Sequence, residues 1–358
     1  MMLMEDGKID ERTSLVLEMA RTLGASAVGI TTRETIDPNE PTMDYDFVLK
    51  GARSAVTFAV PFGEGDLDEI VERSLAKKDH KALETMKVRA TTLANGIAFE
   101  MSGLLNQIGC EAVPVHANYV YRSDMPPERR VPPLSHKLLA LRSGVGHAGY
   151  SGLIITREHG ANIALASVVT KADLRPTEAL PAEDNYCDRC RLCAASCLSN
   201  YITAEKLQGS VGTAPYVISK KGHPMRCAFV CGGVTGMTRK AEWSTWSPAR
   251  FDVPDDDEEM LEVLRNKGQP AQVRRNREVG FDGGFFHPFY PGYRNEYVCS
   301  LCQYVCHPDP EVRRRRFELL KNSGVSVPRE GRGYRSASPE EAEAIFAKMP
   351  EDRRKIYM

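Results

Sequence analysis

Four cysteines crowd into one short segment, "YCDRCRLCAASCL". Cys187, Cys190, Cys193 and Cys197 follow the spacing C-x2-C-x2-C-x3-C. Three thiolates two residues apart are typical of one cubane iron–sulfur cluster, and a fourth placed three residues further on usually ligates a different cluster. The segment therefore predicts that a second group of cysteines exists elsewhere to complete both clusters.

A second group follows about a hundred residues later in "CSLCQYVCHP". It supplies Cys299, Cys302 and Cys306 with the spacing C-x2-C-x3-C. Seven cysteines leave one ligand missing, and Cys227 or Cys231 in "RCAFVCGG" can provide it. The count then closes two [4Fe–4S] clusters with eight cysteines.

Zinc is the competing metal for these cysteines. Zinc sites commonly use paired C-x2-C knuckles rather than three successive cysteines followed by x3-C, so the spacing favours iron–sulfur. The pattern departs from the usual run in one respect, because Leu198 and His307 stand where a proline often follows the last cysteine. Proline only redirects the backbone after the ligand, so we expect the clusters to form.

Composition limits the other classes of function. The chain has 358 residues and a formal net charge of −1, which gives no global attraction to nucleic acid or to a membrane surface. We find no apolar run long enough for a transmembrane helix and no export signal, so we expect a cytoplasmic protein. Nine of the ten cysteines lie between 187 and 306, and in a reducing compartment such clustering indicates metal rather than disulfides.

Helices and apolar strands alternate over about residues 10–176 and predict an α/β core. The helices are expected at 11–23, 78–108 and 135–144, with Gly24 and Gly109 ending the first two. The strands are expected after Gly24 and at 53–62, 110–118, 151–156 and 162–170, the last two as a pair. From 177 onward turn residues and cysteines dominate, and we expect a long loop-rich insertion at about 229–298 that is rich in aromatic residues, including Trp243, Trp246 and Phe289.

Several of these segments resemble the cobalamin-dependent iron–sulfur reductases, which comprise epoxyqueuosine reductases and reductive dehalogenases. The likeness includes "LGASAVGIT" followed by "GARSAVTFAVPF", the stretch "PLSHKLLALRSGVGHAGYSGLIITREHGANIALASVVTKADL" at 133–174, and the order of the cysteines. The resemblance implies an α/β (α+β) nitroreductase-like corrinoid-binding core over 1–176. It implies a ferredoxin-like domain with two [4Fe–4S] clusters over 177–325, and 326–358 remains as a C-terminal extension.

The resemblance also implies how the cysteines are shared between the clusters. One cluster is held by Cys187, Cys190, Cys193 and Cys306. The other is held by Cys197, Cys227, Cys299 and Cys302, with Cys231 as the second choice for Cys227. Cobalamin is expected base-off, without a histidine of the protein on cobalt.

A glycine-rich turn, "GVGHAGYSG", contains Gly144, Gly146, Gly149 and Gly152. It matches the dinucleotide fingerprint G-x-G-x-x-G, but a helix precedes it and a strand follows it, which is the reverse of the required context. We expect its glycines to let the backbone approach the corrinoid ring. The alternative is a turn that binds no ligand.

A proton donor is expected in "HANYVYRSDMPPERRVPPLSH". In reductive dehalogenases the donor is a tyrosine beside a basic residue, and in epoxyqueuosine reductases it is an aspartate, whose position is occupied here by Arg130. We expect Tyr119 or Tyr121 to donate, because both follow a strand at the end where α/β sheets usually build their sites. Nearby positive charge lowers the pKa of a phenol, and Arg122, Arg129 and Arg130 can supply it. Asp124, His116 and His147 are the next candidates, and the alternative is that all these side chains only pack.

The expected function is an oxidoreductase that passes low-potential electrons from a ferredoxin or flavodoxin through two clusters to cobalamin, for reductive cleavage of a bond in a small-molecule substrate. The alternatives are a non-catalytic electron carrier for a partner corrinoid protein, and an epoxyqueuosine reductase acting on tRNA. An arginine run at 313–316 is expected on a helix capped by Asp309, with Pro310 at its first position and several arginines in solvent. That run could contact RNA.

Overall fold

The structure is a computed structural model of the chain. It describes residues 2–37, 40–63, 68–69, 71–73, 80–115, 122–126, 131–231, 235, 251–268, 285–286, 294–295, 299–328 and 334–354. The fold is mixed α/β and divides into two compact units. The first unit is Met1–Glu64, Lys87–Arg189 and Leu207–Ile218, and the second is Gly65–Met86, Cys190–Lys206 and Ser219–Met358.

The first unit is built on a four-stranded sheet with the order β1-β2-β6-β3. Its strands are β1 (Ala27–Thr32), β2 (Ser54–Pro61), β6 (Ile163–Thr170) and β3 (Ala112–Val115), and every neighbouring pair is antiparallel. Seven of the eight residues of β2 are buried, which explains why this strand is a continuous apolar run in the sequence instead of an alternating one.

Local signals predict where two helices of the first unit end, but the first helix begins at Met2 rather than at the expected residue 11. α1 (Met2–Thr22) is followed by Gly24 at φ 110°, and α3 (His80–Gln107) is followed by Gly109 at φ 81°. A left-handed residue of this kind ends a helix, and glycine adopts it without steric cost. α4 (His136–Arg142) is capped by the Ser135 side chain, which accepts from the backbone N–H of Leu138.

One expectation for this sheet was wrong, and one argument made for the proton donor loses its support. The segment at 151–156 does form a short strand, β5 (Ile154–Ile155), but it pairs with β4 (His147–Ala148) rather than with the strand at 162–170. The sheet is also antiparallel, so the rule that sites lie at the carboxyl ends of parallel strands gives no support to a proton donor after β3 (Ala112–Val115). Strand pairing depends on distant partners, which local patterns do not reveal.

A β-hairpin that we did not predict follows the first cysteine group. Its strands are β7 (Ile202–Val211) and β8 (Ala214–Lys221), which pair in a two-stranded sheet. The turn is Gly212-Thr213, with Gly212 at φ 56°. The sequence signal for it was weak, because few residues of either strand are β-branched.

The second unit consists of short helices with a small α/β extension. Its helices are α5 (Leu192–Ala195), α6 (Pro224–Cys231), α7 (Asp257–Val263), α8 (Leu301–Tyr304) and α9 (Pro310–Lys321). A five-residue π-helical segment, Leu264–Gly268, continues α7. The predicted loop-rich insertion therefore contains a helix, whereas its predicted aromatic residues Trp243, Trp246 and Phe289 lie outside the described residues.

The C-terminal extension has an apolar core of its own. β11 (Val325–Pro328) and β12 (Tyr334–Ala337) form an antiparallel pair against α10 (Pro339–Lys348), which Ser338 caps. The cluster is made by Val325, Val327, Ala337, Ala342 and Phe346. The extension therefore packs as a ββα unit.

The shorter elements complete the described chain. They are α2 (Tyr45–Val48), α11 (Glu351–Arg354), the 3-10 turns Arg33–Thr35 and Ala182–Asp184, and a two-residue pair formed by β9 (Phe285–Phe286) and β10 (Arg294–Asn295). Within the residues that the structure describes, no helix combines the length and the apolar character needed to cross a membrane.

Candidate metal centre

The backbone of the cysteine segments is unusual. Among the described residues, the non-glycine residues with positive φ are Arg189, Arg191, Asn200 and Ser300, at 59°, 62°, 55° and 47°. Each lies within three residues of a predicted cluster ligand, and three of them lie between two ligands. Such a conformation costs on the order of 1–3 kcal/mol per residue and concentrates at functional sites. It also turns consecutive N–H groups inward, which makes the anion-binding concavities seen around iron–sulfur clusters.

Within the second unit the two cysteine groups approach each other through their short helices. α5 carries Cys193 and α8 carries Cys302, and these helices are in contact with each other. α9 also contacts α5. Of the predicted ligands, only Cys187 belongs to the first unit, because the division of the chain falls at residue 189.

Hydrogen bonds reach the sulfur atoms of both units. In the first unit the backbone N–H of Tyr150 donates to Cys187 Sγ at 3.3 Å. In the second unit Arg313 Nη1 donates to Cys190 Sγ at 3.8 Å, and Cys197 Sγ lies 3.9 Å from Ser199 Oγ. Donors aimed at cysteine sulfur stabilise the thiolate form that ligates iron, and they tune the potential of a bound cluster.

Three cysteines of the second unit lie close enough to Tyr201 to affect its pKa. Burial raises the pKa of this tyrosine, and the negative charges of Cys227, Cys197 and Cys302 raise it further. Those three residues belong to the ligand set that the family resemblance implies for the second cluster. The set itself stays a prediction.

Cys227 lies on α6, which a buried arginine holds against the insertion. Arg226 is 7% exposed. Its Nε donates to Asp257 Oδ1 at 2.7 Å, its Nη1 donates to the carbonyl oxygen of Pro254 at 2.9 Å, and its Nη2 donates to that of Asp255. Cys231 is the last residue of the same helix, and its side chain lies outside what the structure describes. The choice between Cys227 and Cys231 therefore stays open.

The donor chemistry fits iron–sulfur clusters. In the described part of the chain, no three His, Cys, Asp or Glu side chains are arranged to hold a single metal ion. A cubane cluster has four irons at separate corners, so its cysteine sulfurs stand further apart than those around one ion. Cysteines in loops with left-handed residues suit such a cluster, because this backbone conformation can form the N–H concavities that hold iron–sulfur clusters.

The glycine-rich turn is explained by packing within the first unit. A Cβ on Gly146 would stand 2.7 Å from the carbonyl oxygen of Ile155 and also 2.7 Å from Cγ2 of Ile154. A Cβ on Gly149 would stand 3.0 Å from Cγ2 of Ile155. A Cβ on Gly144, which has φ 76°, would collide with the carbonyl oxygen of Glu178. These glycines offer no open cradle, and Gly152 takes a left-handed φ of 70°. Packing within the protein is therefore sufficient to explain these glycines, and corrinoid binding at this turn stays a prediction.

The predicted proton donors are described only in part. Tyr119, Tyr121, His116, Arg129 and Arg130 lie outside the described residues. The described candidates are Arg122, Asp124 and His147.

Arg122 is already engaged by carboxylates. Its Nη1 lies 2.7 Å from Asp44 Oδ2 and its Nη2 lies 2.6 Å from Asp124 Oδ2, while its guanidinium carbon lies 4.8 Å from the Phe47 ring centroid. The two carboxylates compensate the charge of Arg122, which weakens its effect on more distant groups; its predicted action on Tyr119 or Tyr121 stays a prediction. The same contact lowers the pKa of Asp124, so that carboxyl is ionised near neutral pH and is a poor proton donor.

His147 is buried in β4. Burial lowers its pKa, against an opposing effect of the Asp184 carboxylate. The imidazole is therefore mostly neutral near pH 7, which makes it a weak reservoir for a proton. The lowered pKa values favour the deprotonated forms of Asp124 and His147 near neutral pH, and the identity of the proton donor stays a prediction.

Sequence reasoning missed the side chains that surround the cysteines. α9 begins as predicted, with Asp309 as cap and Pro310 at its first position. Arg314 and Arg315 are exposed, but Arg313 is 3% exposed and Arg316 is fully buried, so the expectation of a solvated arginine run was partly wrong. Their spacing of three residues on a helix was the available signal, because it places both on one face.

Comparisons with known proteins find likeness only among solved structures. No family model and no curated protein matches the chain. A catabolic reductive dehalogenase in complex with 3-bromo-4-hydroxybenzoic acid is 15% identical, with a TM-score of 0.49 over 93% of this chain and 40% of that one. An epoxyqueuosine reductase from Streptococcus thermophilus is 15% identical, with a TM-score of 0.40 over 94% and 72%.

A third structure, an epoxyqueuosine reductase with an epoxyqueuosine-modified tRNA-Tyr stem loop, is 15% identical, with a TM-score of 0.42 over 97% and 96%. Both groups of reductases that the sequence resembles are thus among the solved structures that the chain matches. The chain spans about a third of the reductive dehalogenases it matches, for example 36% of one at a TM-score of 0.46. At such identities and TM-scores the matches carry no argument about activity, substrate or cofactor.

Proposed function

We propose that the chain is an iron–sulfur oxidoreductase with two [4Fe–4S] clusters that serve a base-off corrinoid. The observation that carries the cluster part is the backbone of the cysteine segments, where left-handed residues lie between predicted ligands. Left-handed residues are strained, concentrate at functional sites and can form the backbone N–H concavities in which iron–sulfur clusters are held. When bound, the clusters would store and transfer single electrons at low potential.

The proposed ligand sets follow the resemblance of the sequence. Cys187, Cys190, Cys193 and Cys306 would hold one cluster, and Cys197, Cys227, Cys299 and Cys302 would hold the other. The placement of Cys197, Cys227 and Cys302 around Tyr201 supports the second set. The contact of α5 with α8 supports an exchange of ligands between the two cysteine groups.

The corrinoid part of the proposal rests on the resemblance of the sequence alone. When bound, a corrinoid would supply a strongly reducing cobalt for the cleavage of a carbon–halogen or carbon–oxygen bond. The chain's own task would be to deliver a proton, and we propose Tyr119 or Tyr121 for it. Because Arg122 is held by carboxylates, Arg130 or Arg129 would assist the phenol.

A second candidate function is an electron carrier that reduces a partner corrinoid protein. The packing of Gly144, Gly146 and Gly149 favours it, because a turn filled by protein atoms needs no corrinoid to explain its glycines. A ferredoxin or flavodoxin would be the electron donor in both cases. An epoxyqueuosine reductase acting on tRNA is disfavoured by Arg130, which stands where that family has its aspartate.

Metal analysis of anaerobically reconstituted protein tests the proposal. We expect about eight irons and eight sulfides per chain, and about half of that in Cys187→Ser and in Cys299→Ser. Cys110→Ser is the matched control, because this buried cysteine lies outside both groups and its loss should leave the iron content unchanged. Zinc without labile sulfide would refute the proposal. Cobalt with a base-off corrinoid spectrum would support the reductase, and clusters that form without any corrinoid binding would favour the carrier.

A further inference from the structure

The α9 helix buries two arginines in the second unit. Arg313 is 3% exposed and Arg316 is fully buried. The helix also has apolar residues, and these alone would be expected to face the core while the arginines face water. Taking a guanidinium out of water is costly unless ionic or hydrogen-bonding partners compensate for the lost hydration. The partners of these two residues therefore indicate why they are buried.

The arginines of this run contact different groups. Arg316 pairs with the Asp68 carboxylate and donates to the carbonyl oxygen of Tyr304 at 3.0 Å. Arg315 is exposed and pairs with Glu72 at 2.6 Å. Arg313 instead directs Nη1 at Cys190 Sγ, at 3.8 Å. A buried cation thus lies against the sulfur of a predicted cluster ligand.

This position has an electrostatic consequence for a bound cluster. Reduction adds one negative charge to a cluster that its thiolates already make negative. A guanidinium hydrogen-bonded to one of those sulfurs stabilises the reduced form more than the oxidised form, and hydrogen bonds to sulfur are among the determinants of cluster potential. Burial of Arg313 limits screening by water and salt on the guanidinium side of the contact, whereas Cys190 itself is exposed.

We propose that Arg313 raises the reduction potential of the cluster that Cys190 ligates. The proposal rests on the function proposed above, since it requires that cluster to form. In the step concerned, one electron passes from a low-potential donor of the ferredoxin or flavodoxin class to the cluster, and the donor is oxidised by one electron. Arg313 keeps its proton and its charge throughout, and it acts through Cys190 as a positioning residue.

The test is a redox titration of the full chain after anaerobic reconstitution, with dithionite as reductant and electron paramagnetic resonance as the readout. Two one-electron transitions are expected, and Cys190→Ser identifies the one that concerns Arg313. Arg313→Gln should lower that potential by at least a tenfold change in the reduction equilibrium, which is about 59 mV for one electron. Arg313→Lys should lower it by less, because the charge stays but the hydrogen bond is lost.

Arg314→Gln is the matched control, because Arg314 is the next residue of the same helix and is exposed. It should leave both potentials unchanged. If both clusters form in Arg313→Gln and the potential of the transition assigned to Cys190 does not change, the inference is overturned. The proposed function is not affected by that result. Failure of the wild type to take up iron and sulfide refutes the proposed function instead. If Arg313→Gln does not assemble its clusters, the Arg313→Lys variant is titrated in its place. An unchanged or higher potential of the Cys190 transition in Arg313→Lys then overturns the inference.

Discussion

Arg226 allows a direct test of how residues 254–257 stabilise α6, the helix that carries Cys227. Replacing it by methionine keeps most of the apolar stem and removes the guanidinium. Three hydrogen bonds are lost, to Asp257 and to the carbonyl oxygens of Pro254 and Asp255. The helix affected is α6, which carries Cys227.

The cost can be worked out bond by bond. The side chain of Asp257 is 48% exposed, so water can solvate its charge once Arg226 is gone, and that ion pair contributes less than about 1 kcal/mol. Each carbonyl loses a net contribution of about 1 kcal/mol. The apolar cluster of Phe229, Met260 and Leu264 stays in place. We expect a loss of about 2–3 kcal/mol in local stability.

Hydrogen exchange measures this loss where it occurs. If α6 and α7 open locally, 2–3 kcal/mol corresponds to about 30- to 150-fold faster exchange of their amides. A global denaturation curve suits the test less well, because a chain of two units need not unfold in one step.

Arg265→Met is the matched control for this substitution. Arg265 belongs to the same insertion and is exposed, so the exchange of α6 and α7 should not change in this variant. Unchanged exchange in Arg226→Met as well would refute the reasoning, because the three bonds would then contribute nothing to holding the two helices together.

Two further predictions concern the first unit. Gly146→Ala should lower its unfolding free energy by about 1–3 kcal/mol, because the new Cβ would stand 2.7 Å from the carbonyl oxygen of Ile155. Gly103→Ala, on a helix face with nothing within 4 Å, should raise it by about 0.5–1 kcal/mol, and urea denaturation that shows equal losses would contradict this. Burial lowers the pKa of His147, so its contribution to stability is complete above about pH 6.5 and is lost as the pH falls through the lowered folded value. The melting temperature should fall more steeply between pH 7.5 and 5 for the wild type than for His147→Gln. If the melting temperatures of the two proteins fall in parallel, His147 is not buried in its neutral form.

Signals confined to a few residues were sufficient to predict several elements from the sequence. The cap Asp309 begins its helix as expected, and Gly24 and Gly109 end theirs. A cap hydrogen bond and a left-handed glycine both act within one helical turn, so the neighbouring sequence is sufficient to predict them. The spacing of the cysteines belongs to the same category, because ligands two or three residues apart are constrained by the local backbone.

Partners distant in the sequence could be found only in the tertiary structure. The pairing of Ile154–Ile155 with His147–Ala148 and the antiparallel sheet depend on which strands meet, and an apolar run does not encode its neighbour. The same holds for Arg122, whose charge is compensated by Asp44, 78 residues earlier.

The clearest case is Arg313. In the sequence it is one of four consecutive arginines, and nothing local separates it from Arg314. In the structure the rotation of the helix exposes Arg314 and buries Arg313 against Cys190, 123 residues away. The sequence by itself determined that the cysteines form two groups along the chain, each with the spacing of iron–sulfur ligands. Only the tertiary structure decided which charges surround them, because burial and Coulomb interaction depend on distances in space rather than along the chain.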